Sequence, residues 1–228
     1  MNETLSIVIP FLDSQKTLLH FLPKILQRIS RSHIVEVILV DATGRDNNAL
    51  ICQELDVRYL ASAKKGRAAQ MNLGAEKSKG NWLFFLHIDS LPPESFDLLI
   101  TENPDIESGC FQLKFDWDHW FLQFFEGFTR FYWPIARGGD QGLFVRRAVF
   151  VDLGGFHDIS IMEDIDFCRR LMARKTFKIL PQKILTSARK YKEQGVYRLQ
   201  LIFGWITFLY WLGVDPVKLK RIYDKNIH

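Results

Sequence analysis

Runs of apolar, β-branched residues alternate along the first part of the chain with stretches whose apolar positions recur every three or four residues. Leu5 to Phe11 (L-S-I-V-I-P-F) and Val35 to Val40 (V-E-V-I-L-V) have strand length and composition. Between them, Ser14 to Ser32 carries Leu18, Leu19, Leu22, Ile25, Leu26 and Ile29 at helical spacing, completing a β-α-β unit. Asn47 to Leu55 predicts a second helix leading to a strand at Val57 to Ala61, and Ala68 to Lys77 predicts a third. The third helix leads to N-W-L-F-F-L-H-I-D-S, Asn81 to Ser90. Six apolar residues among Trp82 to Ile88 are too few for a membrane span and predict a central strand that delivers Asp89 to its end, before Pro92-Pro93. Strands alternating with helices predict a mostly parallel sheet with right-handed crossovers, and such sheets bind ligands beyond the carboxyl ends of their strands.

After Asn103-Pro104 the rhythm changes. Cys110 to Phe115 alternates as a strand does, and Trp117 to Trp133 follows, with aromatics at three- and four-residue steps that predict one apolar helix face. That face is either core packing or a surface for a lipid-linked acceptor or a membrane. A glycine-rich loop, Arg137 to Gly142 (R-G-G-D-Q-G), precedes a strand at Leu143 to Val145, and Glu163 to Ala173 predicts a helix with a charged face. Leu199 to Val214 is apolar, yet as a helix it would reach only about 24 Å, short of a hydrocarbon core of about 30 Å. Arg189, Lys190, Lys192 and Arg198 precede it and Lys218, Lys220 and Arg221 follow, which suits peripheral contact with anionic lipid, while docking on the domain or in a homodimer stands as the alternative. The economical division is one domain over 1–190 with a helical appendage over 191–228.

Composition narrows this picture in three places. A net charge of +4, from 30 Lys and Arg against 26 Asp and Glu, falls short of a dedicated nucleic-acid binder. Three widely spaced cysteines, Cys52, Cys110 and Cys168, form no C-x-x-C and indicate no disulfide framework, so a reducing cytoplasm is the expected compartment. No secretory signal pattern precedes Leu5.

Candidate chemistry lies in acidic positions that this architecture brings to one rim: Asp41, Asp89, Asp140 and Glu163-Asp164. Gathered carboxylates repel unless a cation joins them, and Mg²⁺ or Mn²⁺ is often held by one or two carboxylates plus substrate phosphates. Between Asp41 and Asp89, Lys64-Lys65-Gly66-Arg67 opens a helix, where backbone N–H groups and cations favour phosphate. Together these point to a nucleoside diphosphate. The turn after the first strand, Pro10-Phe11-Leu12-Asp13-Ser14-Gln15, has neither G-x-G-x-x-G nor Walker glycines, which disfavours dinucleotide oxidoreductases and P-loop nucleotidases.

Across nearly its whole length the sequence resembles inverting glycosyltransferases of family 2, which have the GT-A fold. The matching stretches are S-I-V-I-P (Ser6 to Pro10), V-I-L-V-D (Val37 to Asp41), K-G-R-A-A-Q-M-N (Lys65 to Asn72) and F-L-H-I-D-S (Phe85 to Ser90) in the first half. G-D-Q-G-L-F-V-R-R (Gly139 to Arg147), L-G-G-F (Leu153 to Phe156), M-E-D-I-D (Met162 to Asp166) and T-S-A-R (Thr186 to Arg189) follow. It is most similar to a bacterial subgroup with L-H-x-D-[ST] and G-D-Q-G-L-F motifs. The resemblance implies a nucleotide-sugar donor, a UDP-sugar, held by Pro10, Asp41, Lys65, Gly66, Arg67, His87, Asp89, Asp140 and Gln141. It implies Asp89 as ligand of Mg²⁺ or Mn²⁺, Asp164 as general base and Glu163 as its support or as a positioner of the acceptor. His87-Ile88-Asp89 departs from the usual D-x-D, and Asp13-Ser14 from the Asn-Glu frequent after the first strand. The Q-x-x-R-W signature of processive synthases is absent, so a single transfer is expected. A non-catalytic nucleotide-sugar binder or recruited scaffold, and a nucleotidyltransferase, are the competing classes.

Overall fold

The computed structural model describes residues 3–30, 33–103 and 105–227. β1 (Leu5–Phe11), α1 (Gln15–Gln27), β2 (Ile34–Asp41), α2 (Asp46–Glu54), β3 (Arg58–Ala61), α3 (Arg67–Lys77) and β4 (Trp82–Phe85) follow the predicted alternation. The helix expected to run on to Ser32 stops at Gln27, and Arg31 and Ser32 lie outside the described residues. The second half contains β5 (Ser90–Leu91), α4 (Phe96–Thr101), β6 (Ser108–Phe115), α5 (Trp120–Phe128), β7 (Leu143–Arg146), α6 (Arg147–Asp152) and α7 (Glu163–Met172). β8 (Phe177–Thr186), α8 (Arg189–Gln194), α9 (Val196–Trp211) and α10 (Pro216–Asn226) complete the chain.

One eight-stranded sheet runs in the order β3-β2-β1-β4-β7-β6-β8-β5. The first four strands in that order are parallel, as the βαβ pattern predicts, whereas β4–β7, β6–β7 and β5–β8 are antiparallel. Leu143 opens β7 opposite Phe85, the last residue of β4, so the glycine-rich loop before β7 lies at the carboxyl end of the parallel half. After β1 the chain moves outward to β2 and β3, then returns to β4 on the other side. That reversal is where open α/β sheets form a crevice.

The core explains why the strands read as continuous apolar runs. Leu5, Ile7, Ile9 and Phe11 of β1 pack on one face with α1, α2 and α4, while Val8 packs on the other with α3, α6 and α7. β4 divides likewise, with Trp82 and Phe84 on the first face and Leu83 and Phe85 on the second. A strand covered on both faces needs no polar alternation. Pro10 is tolerated in central β1 because the rungs to β4 end with Leu86 N–H donating to Val8 O at 3.0 Å. Pro10 faces that same side one step further on, where no rung requires its missing N–H.

Two predicted elements are shorter than their apolar runs. The strand expected to deliver Asp89 ends at Phe85; His87 leaves the ladder, and Ile88 and Asp89 form a turn closed by Ser90 N–H to His87 O at 3.1 Å. Trp117 to Trp133 is helical only over Trp120–Phe128. Thr129 ends it: its hydroxyl donates to Glu126 O at 2.7 Å and accepts from Leu113 N–H at 3.1 Å, tying the helix end to β6. Downstream, the apolar C-terminal stretch forms α9, and among the described residues no helix is long and apolar enough to cross a membrane.

Gly74 lets α3 lie close on the sheet, since a Cβ there would stand 2.3 Å from Val8 Cγ1 and 3.0 Å from Val40 Cγ2. Gly74→Ala is therefore expected to destabilise the protein by about 1–3 kcal/mol through overpacking. A urea unfolding midpoint equal to that of the parent would contradict this seat for the helix.

Candidate functional site

Strand ends, two loops and the starts of two helices converge at the carboxyl edge of the parallel half. Gln70 on α3, fully buried, donates through Nε2 to Phe11 O at 2.7 Å and Val40 O at 2.6 Å, which locks the ends of β1 and β2 together. Asp41 beside them is 1% exposed. Its Oδ1 accepts from Thr43 N–H at 2.6 Å, and its Oδ2 from Asn48 Nδ2 at 2.8 Å and the Tyr59 hydroxyl at 3.2 Å. The carboxylate thus braces the loop after β2 from within.

Gly66 (φ +126°) turns the chain into α3 through backbone that an L side chain rarely adopts, and Lys65 beside it is exposed. Arg67 then reaches across the crevice. Its Nε lies 3.2 Å from Glu163 Oε1 and its guanidinium 3.5 Å from His87 Nε2. Glu163 is 3% exposed, so this carboxylate is occupied in holding Arg67. Burial and then the Arg67 charge push the His87 imidazole down to about 4, which keeps it neutral near pH 7.

Asp164 differs from its neighbour. It is half-buried at the start of α7, where its Oδ2 accepts from Gly139 N–H at 2.6 Å and its Oδ1 from Ile165 N–H at 2.8 Å. The preceding Met162 takes a left-handed backbone (φ +69°), an uncommon and costly choice for a bulky residue that turns the acidic pair into the crevice. Gly139 is glycine for a steric reason, since a Cβ there would meet His87 Nε2 at 2.7 Å and Asp164 Oδ2 at 3.0 Å. The end of β4, the glycine loop and the start of α7 therefore close on one another without a side chain between them.

Asp140 stands in that loop. Burial pushes its carboxyl up to about 6, and repulsion from Asp164 and Asp89 adds to the effect. Asp89, half-buried on its turn, has no hydrogen bond or ion pair to its carboxylate among the described residues. Its backbone is fixed by Ser187 N–H donating to Asp89 O at 3.0 Å. Gln141 turns inward, its Oε1 accepting from Arg137 at 2.9 Å and its Nε2 donating to Ala136 O at 2.6 Å.

Several supporting residues escape sequence reasoning. Thr186 at the end of β8 donates to Asp140 O at 3.0 Å and shares a 2.8 Å hydroxyl contact with Ser90, so it ties the glycine loop to the residue after Asp89. Arg137, 2% exposed, spans Gln141 and the carbonyls of Thr129 and Phe131. Arg189 pairs with Asp13 at 2.9 Å, and the Lys190 charge acts on His87. The T-S-A-R stretch was the available signal for Thr186 and Arg189; Gln70, Arg137 and Lys190 reveal their contacts only in three dimensions. Asp164, Asp140 and Arg67 also border a cavity of about 560 Å³ between α5, α7 and α9.

Known proteins share parts of this sequence and its fold. Residues 6–102 match the family model described as Glycosyl transferase family 2. Glycosyltransferase GlyG of Streptococcus pneumoniae is 33% identical over 101 residues, covering 42% of this chain and 33% of that protein. An uncharacterized glycosyltransferase of Haemophilus influenzae is 26% identical over 202 residues, covering 79% of this chain and 65% of its own length. The chain thus spans between 33% and 65% of these relatives. Among solved structures, Staphylococcus aureus TarS 1-349 superposes with a TM-score of 0.67 at 14% identity, covering 88% of this chain and 65% of that one. Mannosyltransferase PcManGT of Pyrobaculum calidifontis, in complex with GDP-Man and Mn²⁺, gives 0.66 at 16% identity, covering 97% and 68%. The fold is GT-A, a curled mixed sheet flanked by helices.

The raised pKa of Asp140 sets a pH dependence. Relative to an ordinary value of 3.8, the folded state favours the protonated carboxyl, a contribution present below 3.8 and lost as pH rises through about 6. Asp140→Asn removes the buried charge, so chemical denaturation near pH 8 should show a gain of about 1 kcal/mol, discounted for partial exposure, that vanishes near pH 4. A gain independent of pH would exclude the carboxylate crowding described here.

Proposed function

We propose, from the family 2 match over residues 6–102 and the GT-A fold of the chain, that the protein is an inverting glycosyltransferase using a nucleotide-sugar donor, with Asp164 as general base. The observation that carries this reading is the division of labour in the acidic pair. Glu163 is buried against Arg67, while Asp164 is half-exposed beside the cavity and held in position by Gly139 N–H. One carboxylate is structural and the other is free to accept a proton. Relatives named as glycosyltransferases and a neighbour that holds GDP-Man support the donor class.

In the proposed reaction the acceptor hydroxyl gives its proton to Asp164 as its oxygen forms a bond to the anomeric carbon. The bond from that carbon to the diphosphate breaks on the opposite side, and the nucleoside diphosphate leaves with the electron pair. A single displacement inverts the configuration. Gly66, the start of α3, Lys65 and Arg67 would meet the diphosphate with N–H groups and positive charge. Pro10 and Asp41 would border the nucleoside, Asp41 by shaping the loop after β2. Neutral His87 would act as a hydrogen-bonding group, and Asp140 and Gln141 would shape the sugar site.

A hard dication fits these residues in one particular manner. Among the described residues no three His, Cys, Asp or Glu side chains converge to hold a metal by themselves. Asp89 nevertheless offers a carboxylate without a protein partner, the donor type that Mg²⁺ and Mn²⁺ take alongside phosphate oxygens and water. Held there, the ion would neutralise charge on the departing diphosphate.

Two variants separate these roles. Asp164→Asn should keep the thermal stabilisation that UDP or GDP confers while kcat falls by a factor on the order of 10²–10⁴; turnover at the parental rate would remove Asp164 from the reaction. Asp89→Ala should lose the additional stabilisation produced by Mn²⁺ with the same nucleotide. An undiminished metal response in that variant would place the ion elsewhere.

A further inference from the structure

The cavity beside Asp164 has walls unlike those of a sugar site. Its charged lining is the reaction centre itself, Arg67, Asp140 and Asp164, together with Arg137, which is already engaged by Gln141 and two carbonyls. Most of the remaining wall is apolar. Phe125, Phe128 and Trp133 stand on one side and Phe203 and Gly204 of α9 on the other. Of the polar side chains in those walls, Thr129, Gln141, Tyr191 and Gln200 already bond to the protein, whereas a hydrocarbon chain would find dispersion contacts along the aromatic walls.

α9 presents a second apolar face to the outside. Phe203, Gly204 and Thr207 line the cavity, and on a different face Leu201, Trp205, Phe208 and Leu212 are 52–73% exposed. Across the cavity, Trp120 and Phe124 of α5 are 66% and 58% exposed. Large aromatics left open on both sides of one cavity form a patch that calls for a partner. The charge around it indicates which partner. Residues 189–228 hold eight Lys and Arg against three Asp and Glu, an excess larger than the +4 of the entire chain. Apolar side chains among clustered cations are the composition of a segment lying in the surface of an anionic bilayer, and among the described residues no helix is long and apolar enough to cross one.

We propose that the cavity is the acceptor site for a hydroxyl-bearing lipid taken from an anionic membrane, with its hydrocarbon between α5 and α9 and its hydroxyl at Asp164. This rests on the glycosyl-transfer reading and names the acceptor class for it.

Gly204 offers a clean test, because a Cβ built there meets nothing within 4 Å. Gly204→Phe, with Gly204→Leu as the milder variant, places a bulky side chain at the cavity wall without crowding the helix. The probe is a pyrene-labelled fatty alcohol carried in vesicles of phosphatidylcholine, with and without phosphatidylglycerol. The parent should sediment with the anionic vesicles in preference to the neutral ones and bind the alcohol. Both variants should sediment equally well, retain nucleotide-dependent thermal stabilisation, and bind the alcohol about tenfold more weakly. Undiminished alcohol binding in both variants, or none in the parent, would overturn the cavity as the lipid site. Equal sedimentation with both vesicle types would overturn the anionic membrane as its source. Loss of all nucleotide stabilisation in the parent, with alcohol binding intact, would instead sink the glycosyl-transfer reading and leave the lipid site standing.

Discussion

Like charges held close together in a half-buried crevice govern this site. Asp89, Asp140 and Asp164 come from a turn, a loop and a helix start, and the carboxyl of Asp140 is pushed up first by burial and then by the charges of the other two. Only a rigid frame keeps such a set assembled. It is built mainly from backbone: Gly139 N–H holds Asp164, Ser187 N–H holds the Asp89 carbonyl, and Thr186 holds the Asp140 carbonyl. The sheet supplies these anchors because β5 and β8 pair at Ser90 and Thr186, directly beside the acidic turn. Repulsion maintained in this way makes the crevice ready for cationic or proton-bearing ligands before any has arrived.

Arg67 sets the balance in the opposite sense. By pairing with Glu163 it cancels one of the four carboxylates and keeps its charge near His87, where it adds to burial in holding the imidazole neutral. The Arg67 charge also acts on Asp140 and Asp164. A diphosphate entering between α3 and Asp89 would have cationic and N–H partners on one side and would need a dication on the other. The Asp89 carboxylate, to which no described side chain gives a hydrogen bond or ion pair, stands on that second side.

Much of this was legible in the sequence, and the gaps have physical causes. β1, α3, β7 and α7 were read within a residue or two, because strands covered on both faces leave continuous apolar runs and amphipathic helices a 3.6-residue period. Lengths failed where local polar contacts override a run of apolar residues: Thr129 stops α5 within an aromatic stretch, and His87 turns the chain out of β4 before Asp89. β8 went unread because it borders an edge, alternates irregularly and carries Pro181, although it anchors the site. Among site residues, the acidic positions announced themselves by falling at element ends. The roles of Glu163 and Asp164 were separated only by the resemblance, since position alone does not tell which of the two faces Arg67 across the crevice.

The same logic unites the C-terminal segment with the site. α9 is apolar on every side, a pattern usually reserved for helices with no solvent face. Yet only Val196, Leu199 and Ile206 of its residues are buried. One face closes the cavity beside Asp164 and the other remains open, so the helix is a partition whose two sides have similar chemistry. On the lipid-acceptor proposal both sides of that partition meet hydrocarbon during function. Water on either side would leave a large aromatic area exposed at a cost that rises with every square ångström. The aromatic α5 opposite it meets the same constraint, with Trp120 and Phe124 exposed and Phe125 and Phe128 lining the cavity beside the proposed base.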